Sequence, residues 1–336
     1  MDMVADSKIS VVTPIHNGEK FILELCKSIL NQSCLPLEHI VVNDGSIDKT
    51  SDLLQKYRSQ TTSYDVVIIE HANKGEAESI NQALTIARGE YLIVVNVDDP
   101  LELKALEQLS KVLRQEPETV VAYPDWKMID DEGLLIQNVS TLEYSKAALL
   151  DDLVCIPGPG AMIRKSAINR DFLRNPGYRY ISDYEQWVYL SSQGSFTRVP
   201  EILASWRSHG LGATSSSRGL PVAMEYKKFQ DETLATLRDS ELTKTLNVNR
   251  FNASCFYMIA MQKLYDGSLP GRRMMLKSLK TLYWRNESGK RRKATIILGV
   301  LLYPSLNLAA SVARILKLPA PPFILGLPVY SFKRRH

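Results

Sequence analysis

Along the first hundred or so residues, short apolar runs alternate with stretches whose apolar positions fall at helical spacing. Residues 9–13, 39–43, 66–70 and 91–95 carry almost no polar position on either face, the pattern of parallel strands covered on both sides. Pro14 is expected to break the first of them. Between the runs, Phe21, Leu25, Ile29 and Gln32 mark one face of a helix over 20–32. Asp48 or Thr50 opens the helix after the second strand, and a helix over 77–87 stops at Arg88-Gly89. Strand alternating with helix predicts a doubly wound sheet, with the loops 14–18, 43–46, 73–75 and 96–99 along one edge.

After a helix over 101–114 the pattern changes. Residues 120–123, 127–129 and 134–138 read as short strands, with a hairpin turn at Asp131-Glu132-Gly133, so the sheet becomes mixed. The segment 155–160, rich in Pro and Gly, either lines a pocket or crosses over before a strand at 161–164. A helix over 182–193 begins with Ser182 and Glu185 at capping-box spacing, which leaves Asp183 free to project from the first turn. A strand over 202–207 leads into Ser208-His209-Gly210. Residues 1–215 therefore read as an α/β domain and 216–336 as a mainly helical C-terminal region, with helices at 221–238, 252–265 and 272–283. Residues 294–313 are mostly apolar over a span's length, but Pro304, Ser305 and Asn307 interrupt them, which favours an interfacial helix pair over a membrane span.

Composition adds little until it is mapped. The net charge of +4 over 336 residues is small, yet Arg272, Arg273, Lys290, Arg291, Arg292, Lys293, Lys333, Arg334 and Arg335 crowd the last third, as on a surface facing anionic lipid. No interleaved aromatic and basic motif accompanies them, which argues against a nucleic-acid partner. Four scattered cysteines without Cys-x-x-Cys spacing fit a reducing compartment, and no basic-then-apolar leader is visible. A cytoplasmic protein, peripheral at the membrane's inner face, is expected.

The chemistry-bearing stretch is Gly89 to Pro100, GEYLIVVNVDDP, where a buried strand ends in Asp98 and Asp99. Paired carboxylates at that sheet edge suit a divalent cation bridging to a phosphate. Asp99-Pro100 equally suits a helix cap.

Five stretches in order, ISVVTPIHNGEKF, IVVNDGSIDKT, NKGEAESINQALTIARGEYLIVVNVDD, SDYEQWVYL and WRSHG, resemble the family 2 glycosyltransferases over about the first 210 residues. The resemblance implies a GT-A type, Rossmann-like mixed sheet flanked by helices and an inverting hexosyl transfer from a nucleotide-diphosphate sugar, commonly a UDP-sugar. The acceptor is a hydroxyl in polysaccharide, lipopolysaccharide or glycolipid synthesis. It assigns Pro14, His16 and Asn17 to the base region, Asp44 to the uracil or ribose, and Lys74 to the diphosphate. It assigns Asp98, Asp99 and His209 to a Mn²⁺ or Mg²⁺ ion, Asp98 touching the nucleotide as well, and Asp183 to the general base. Trp206, Arg207 and Glu185 fall toward the acceptor. The residues also admit plainer roles: Asp44-Gly45-Ser46 as a turn, Lys74 as a solvated lysine, His209 as a hydrogen-bonded histidine, Trp206 as core, and Ser79 and Asn81 as packing or capping groups. Asn96 opens the Asp-x-Asp motif where many members have Asp, and Asn43 replaces another acid, so weaker metal affinity is expected. A catalytically silent nucleotide-sugar-binding or scaffold protein is the alternative.

Overall fold

A computed structural model describes residues 8–168, 173–209, 220–236, 247–248, 251–252 and 254–255. In chain order the elements are β1 (Ile9–Ile15), α1 (Ile22–Leu30), β2 (Glu38–Asp44), α2 (Thr50–Gln60), β3 (Asp65–His71), α3 (Glu76–Ile86) and β4 (Tyr91–Val94). They continue as α4 (Ala105–Gln115), β5 (Thr119–Ile129), β6 (Leu135–Val139), α5 (Lys146–Asp152), β7 (Met162–Arg164), a 3₁₀ turn (Lys165–Ala167), α6 (Ser182–Leu190), β8 (Ser195–Arg207) and α7 (Leu220–Thr236). The sheet runs β3-β2-β1-β4-β7-β5-β6, with β8 pairing β5. Its first four strands are parallel. β7 is antiparallel to β4 and β5, β6 is antiparallel to β5, and β8 is parallel to β5. The expected mixed α/β sheet is the observed one.

Successive strand residues enter opposite layers, as the pleat requires. Val11, Val41 and Ile93 pack in one cluster with Leu25 of α1, Leu54 of α2 and Leu109 of α4. Val12, Ile40, Val42 and Leu92 pack with Ile80, Ala83 and Leu84 of α3 on the other face. Coverage on both faces explains why these strands read as unbroken apolar runs.

The prolines behave differently from expectation. Pro14 does not end β1; it pairs with Val42 of β2. β4 accompanies β1 only as far as Val12, so at Pro14 the strand has a neighbour on one side, an edge position that tolerates a missing N–H. Pro124 likewise sits inside a continuous β5, next to a register shift against β8, so two expected short strands are one. Gly89, before β4, is required by close approach, since a Cβ there would lie 2.5 Å from the Ser10 backbone nitrogen.

The described residues divide into two compact units, 8–144 with 156–209, and 145–155 with 220–255. In the second, the Ser145 side chain caps α5 by accepting the Ala148 N–H, a seven-residue helix that the sequence pattern did not announce. Asp151 accepts the Asn247 N–H at 2.9 Å, and its carbonyl accepts the Ser254 hydroxyl at 2.8 Å. Phe229 meets Phe251 edge to face. Among the described residues no helix is long and apolar enough to cross a membrane. The expected helices at 252–265 and 272–283, the apolar stretch 294–313 and the basic C-terminal residues lie largely or wholly outside the described residues.

His39 is buried in β2, with Nδ1 2.9 Å from the Tyr57 hydroxyl and Nε2 3.0 Å from Thr13 Oγ1. Burial pushes its pKa down to about 3. The unfolded chain therefore binds one more proton than the folded chain between pH ~6.5 and ~3, and stability falls as pH drops through that window. His39→Gln is expected to remove up to ~1.4 kcal/mol per pH unit from the slope of unfolding free energy between pH 6 and 4. Urea unfolding of both proteins across that range measures the difference.

Candidate active site

The carboxyl ends of β1, β2 and β4 bring the polar loops together, and backbone hydrogen bonds lace the first two. The Asn17 N–H donates to Ser46 Oγ at 2.8 Å, and Asn17 Oδ1 accepts the Ile47 N–H at 2.9 Å. The Gly18 N–H donates to Thr50 Oγ1 and the Glu19 N–H to Asp48 Oδ2. His16 Nδ1 lies 2.7 Å from the Asp44 carbonyl oxygen and 3.2 Å from Asn73 Nδ2. His16 and Asn17 thus form one rim with the Asp44 turn, while Pro14 is buried in β1 behind them; Asn17 holds its place at a φ of 52°, a left-handed conformation that Asn tolerates.

Asp44 ends β2 almost fully buried. Oδ1 accepts the Lys74 N–H at 2.6 Å and Oδ2 the Gly75 N–H at 2.9 Å. The carboxylate therefore ties the third loop to the second. At Gly45, φ is 69° and a Cβ would lie 2.7 Å from the Asn73 nitrogen, so glycine is what lets the two loops touch. Lys74 meets Asp44 through its backbone only, and its side chain is exposed. Asn43 supports the same turn: Oδ1 accepts the Ser46 N–H and Nδ2 donates to Ser51 Oγ. Nδ2 also lies 3.5 Å from Glu70 Oε1, where a second carboxylate would meet like charge, a physical reason for the amide there.

At the end of β4 the two adjacent acids part. Asp99 is 5% exposed; Oδ1 accepts the Arg207 N–H at 2.8 Å, and Asn96 Nδ2 lies 3.4 Å from Oδ2. Burial, and then the neighbouring Asp98 charge, push its carboxyl well above the usual carboxylate range. Asp98 is less covered, and its Oδ2 lies 2.7 Å from His209 Nε2. The expected pair of metal acids is in this geometry one acid facing an imidazole, with the second acid turned into the interior. Carboxylate oxygen and imidazole nitrogen are a donor set that fits Mn²⁺ when a diphosphate completes the shell. Among the described residues no group of three or more His, Cys, Asp and Glu converges on a metal position.

Arg207, expected toward the acceptor, is buried and bonded to protein groups. It is 3% exposed, and its guanidinium donates to the carbonyls of Asp98 and Asp130 at 3.0 Å each, to that of Asp131 at 3.3 Å, and to Glu24 Oε2 at 2.5 Å. It also stacks 5.0 Å from the Phe21 ring centre, and Phe21 in turn lies 5.1 Å from the His209 ring. Trp206 is half-buried edge to face with Trp126, against the core. The Pro-Gly segment is a crossover packed on β5 and β8: a Cβ at Gly158 would lie 2.9 Å from Trp126 Nε1, and one at Gly160 2.6 Å from Ala204 Cβ.

Asp183 lies in the first turn of α6, half-buried. The capping-box reading needs correction. The helix starts at Ser182, Ile181 holds the cap position without a side-chain bond, and Asp183 Oδ1 itself accepts the Tyr184 N–H at 2.7 Å. Oδ2 remains for other work. Glu185 is half-buried one position beyond Tyr184. Glu76 and Arg174, which the sequence did not single out, also belong here. Glu76, in the first turn of α3, feels the charges of both Asp183 and Asp98, and Arg174 lies against it. Asn81, read as a packing or capping group, instead grips the Arg174 backbone, accepting its N–H at 2.8 Å and donating to its carbonyl at 2.7 Å. No sequence spacing links α3 to residue 174. A cavity of about 610 Å³ bordered by Lys8, Arg88, Glu90 and Lys165 opens at the opposite edge of the sheet, where Lys8 pairs with Glu90 and Arg88 with Glu38.

Residues 10–172 match the family model for Glycosyl transferase family 2. A glycosyltransferase of Haemophilus influenzae is 26% identical over 268 residues, 76% of this chain and 80% of its own length. Chondroitin synthase of Escherichia coli is 29% identical over 231 residues, 68% of this chain but only 33% of that longer protein. A putative teichuronic acid biosynthesis glycosyltransferase of Bacillus subtilis, TuaG, is 28% identical over 205 residues, 59% of this chain and 78% of its own length. Among solved structures, Staphylococcus aureus TarS 1–349 in complex with UDP-GlcNAc superposes with a TM-score of 0.61 at 17% identity, over 94% of this chain and 93% of that one. The mannosyltransferase PcManGT of Pyrobaculum calidifontis, in complex with GDP-Man and Mn²⁺, gives a TM-score of 0.55 at 14% identity, over 92% of this chain and 87% of that one. At those identities the likeness is one of fold.

Asp44→Asn places an amide N–H₂ or a weaker oxygen against two backbone N–H groups. Destabilisation of ~1–3 kcal/mol is expected, with Lys74→Ala near neutral because its side chain stands outside the lock. Urea midpoints of the two variants test the contrast.

Proposed function

From the match to glycosyl transferase family 2 over residues 10–172, we propose that the chain moves a sugar from a nucleoside-diphosphate sugar, a UDP-sugar, onto an acceptor hydroxyl with inversion. The acceptor is a sugar or lipid-linked hydroxyl of a growing polysaccharide or glycolipid, and the working residues lie within 1–215. Supporting this reading is one juxtaposition: Asp98 paired with His209 beyond the end of β4, and the Asp183 carboxylate in the first turn of α6, both near enough to Glu76 for their charges to act on its carboxyl.

In this reading the rim of His16 and Asn17, with Pro14 behind it, receives the base, and the loop locked by Asp44 receives the ribose and diphosphate. Asp98 and His209 hold a divalent ion, which when bound offsets the negative charge gathering on the departing diphosphate. Asp183 Oδ2 takes the proton of the acceptor hydroxyl as its oxygen forms the new bond to the anomeric carbon. The bond from that carbon to the diphosphate breaks on the opposite face, and the nucleoside diphosphate leaves with the electron pair. Asp99 serves by holding the Arg207 backbone rather than by touching the ion. The basic and apolar C-terminal residues bring the enzyme to an anionic membrane surface on the cytoplasmic side.

Asp183→Asn keeps the hydrogen bond to the helix turn and removes the base. Transfer is expected to fall ~100- to 10,000-fold in kcat, with UDP affinity unchanged. Radiolabel transfer from a panel of UDP-sugars, beside UDP calorimetry, provides the check, and full turnover by the variant would remove Asp183 from the role.

A further inference from the structure

Glu76 follows Gly75, whose N–H is held by Asp44 at 2.9 Å, so its backbone is fixed to the loop assigned above to the nucleotide. Its side chain is 51% exposed. Even so, desolvation is the leading cause that lifts its carboxyl above the ordinary range, followed by the opposing pull of Arg174 and then by the Asp183 and Asp98 charges. Geometry places it beside the proposed base: Arg174 bonds both Glu76 and Gln186 of α6, and Gln186 is three residues on from Asp183 and so on the same helix face. The two acids it senses are the proposed base and the proposed metal ligand. In an inverting displacement the base and the metal-bound leaving group stand on opposite sides of the sugar, so a side chain influenced by both acids is placed to reach the sugar's flank.

Arg174 fixes that side chain. It is 7% exposed, its Nη1 lies 3.3 Å from Glu76 Oε1, and its Nε lies 3.3 Å from Gln186 Oε1. Asn81 clamps its backbone from both sides. A buried guanidinium needs a counter-charge, and Glu76 supplies it with one oxygen. The other oxygen is left to the cleft. The guanidinium also offsets a negative charge that would otherwise repel an incoming diphosphate.

We propose that Glu76 is a donor-specificity residue whose Oε2 accepts a hydrogen bond from a hydroxyl of the transferred sugar, with Arg174 as its positioning residue. The assignment rests on reading the site as that of a nucleotide-sugar transferase. A carboxylate is suited to the task, because charge-assisted bonds to hydroxyls are short and strong, and a donor lacking the hydroxyl leaves the acid unpaired.

The test uses the full chain, its preferred UDP-sugar, and analogues of that donor each lacking one ring hydroxyl. For one hydroxyl, wild type is expected to lose ~10- to 100-fold in kcat/KM, whereas Glu76→Ala loses less than ~3-fold for the same deletion. UDP affinity stays the same in both. If Glu76→Ala does not fold because Arg174 is left uncompensated, Glu76→Gln keeps an oxygen for Arg174 and carries the comparison. Equal loss in variant and wild type for every deoxy donor overturns the assignment and leaves Glu76 as the counter-charge of Arg174. A wild-type protein that turns over no nucleotide sugar overturns the transferase reading beneath it, an outcome distinct from turnover without coupling.

Discussion

Asp99 and Arg207 meet where β4 and β8 both end, and most of the candidate site is tied to that meeting. The buried carboxylate takes the Arg207 N–H, and the guanidinium reaches back to the Asp98 carbonyl, across to the Asp130 and Asp131 carbonyls of the β5–β6 turn, and down to Glu24 of α1. Three segments distant in sequence converge on one side chain. Because Phe21 fills the space between the guanidinium and the His209 ring, the histidine two residues beyond Arg207 is held against Asp98. A buried guanidinium held this way contributes less to net stability than its contacts suggest, since it lost its hydration to reach them. What it does supply is position: it sets the spacing of the two groups that would share a metal ion.

A second, independent lock governs the other side of the cleft. Asp44 spends both oxygens on the N–H groups of Lys74 and Gly75, and the first loop is stitched to the second through Asn17, Gly18 and Glu19. The loops are polar and lie at the surface, yet the N–H groups of Asn17, Gly18, Glu19, Ser46, Ile47, Lys74 and Gly75 all have protein partners. That rigidity suits a site that must bind a flexible diphosphate without ordering itself first. The amides at 43 and 96 fit the same logic. Asn43 both accepts and donates inside its turn, and Asn96 leans on Asp99, so each serves the framework where a carboxylate would serve only as an acceptor.

The apolar runs made β1 to β4 and their helices legible in the sequence, because a strand buried on both faces has no polar alternation to confuse it. Glycine and Asx positions likewise located the loops at the strand ends. The prolines misled, since a local rule about missing N–H groups takes no account of which side of the strand still has a neighbour. α5 was missed because seven residues give too short a period to read, although its Ser145 cap was there to be noticed. The parting of Asp98 from Asp99 was illegible for a different reason. Which of two adjacent carboxylates turns inward depends on Arg207, more than a hundred residues away, and no spacing rule reaches that far. The same holds for Glu76, whose partner Arg174 comes from a different part of the chain.

The proposed activity requires that the Asp98–His209 pair and the Asp44-locked loop form one nucleotide site completed by a divalent ion. Calorimetric titration of the full chain with UDP, in Mn²⁺ and again in EDTA, tests this most directly. The expected result is one site per chain, bound at least ~10-fold more tightly with Mn²⁺, with that gain lost in His209→Ala. UDP binding of equal strength in EDTA, a Mn²⁺ gain that survives His209→Ala, or no binding in either buffer would contradict it.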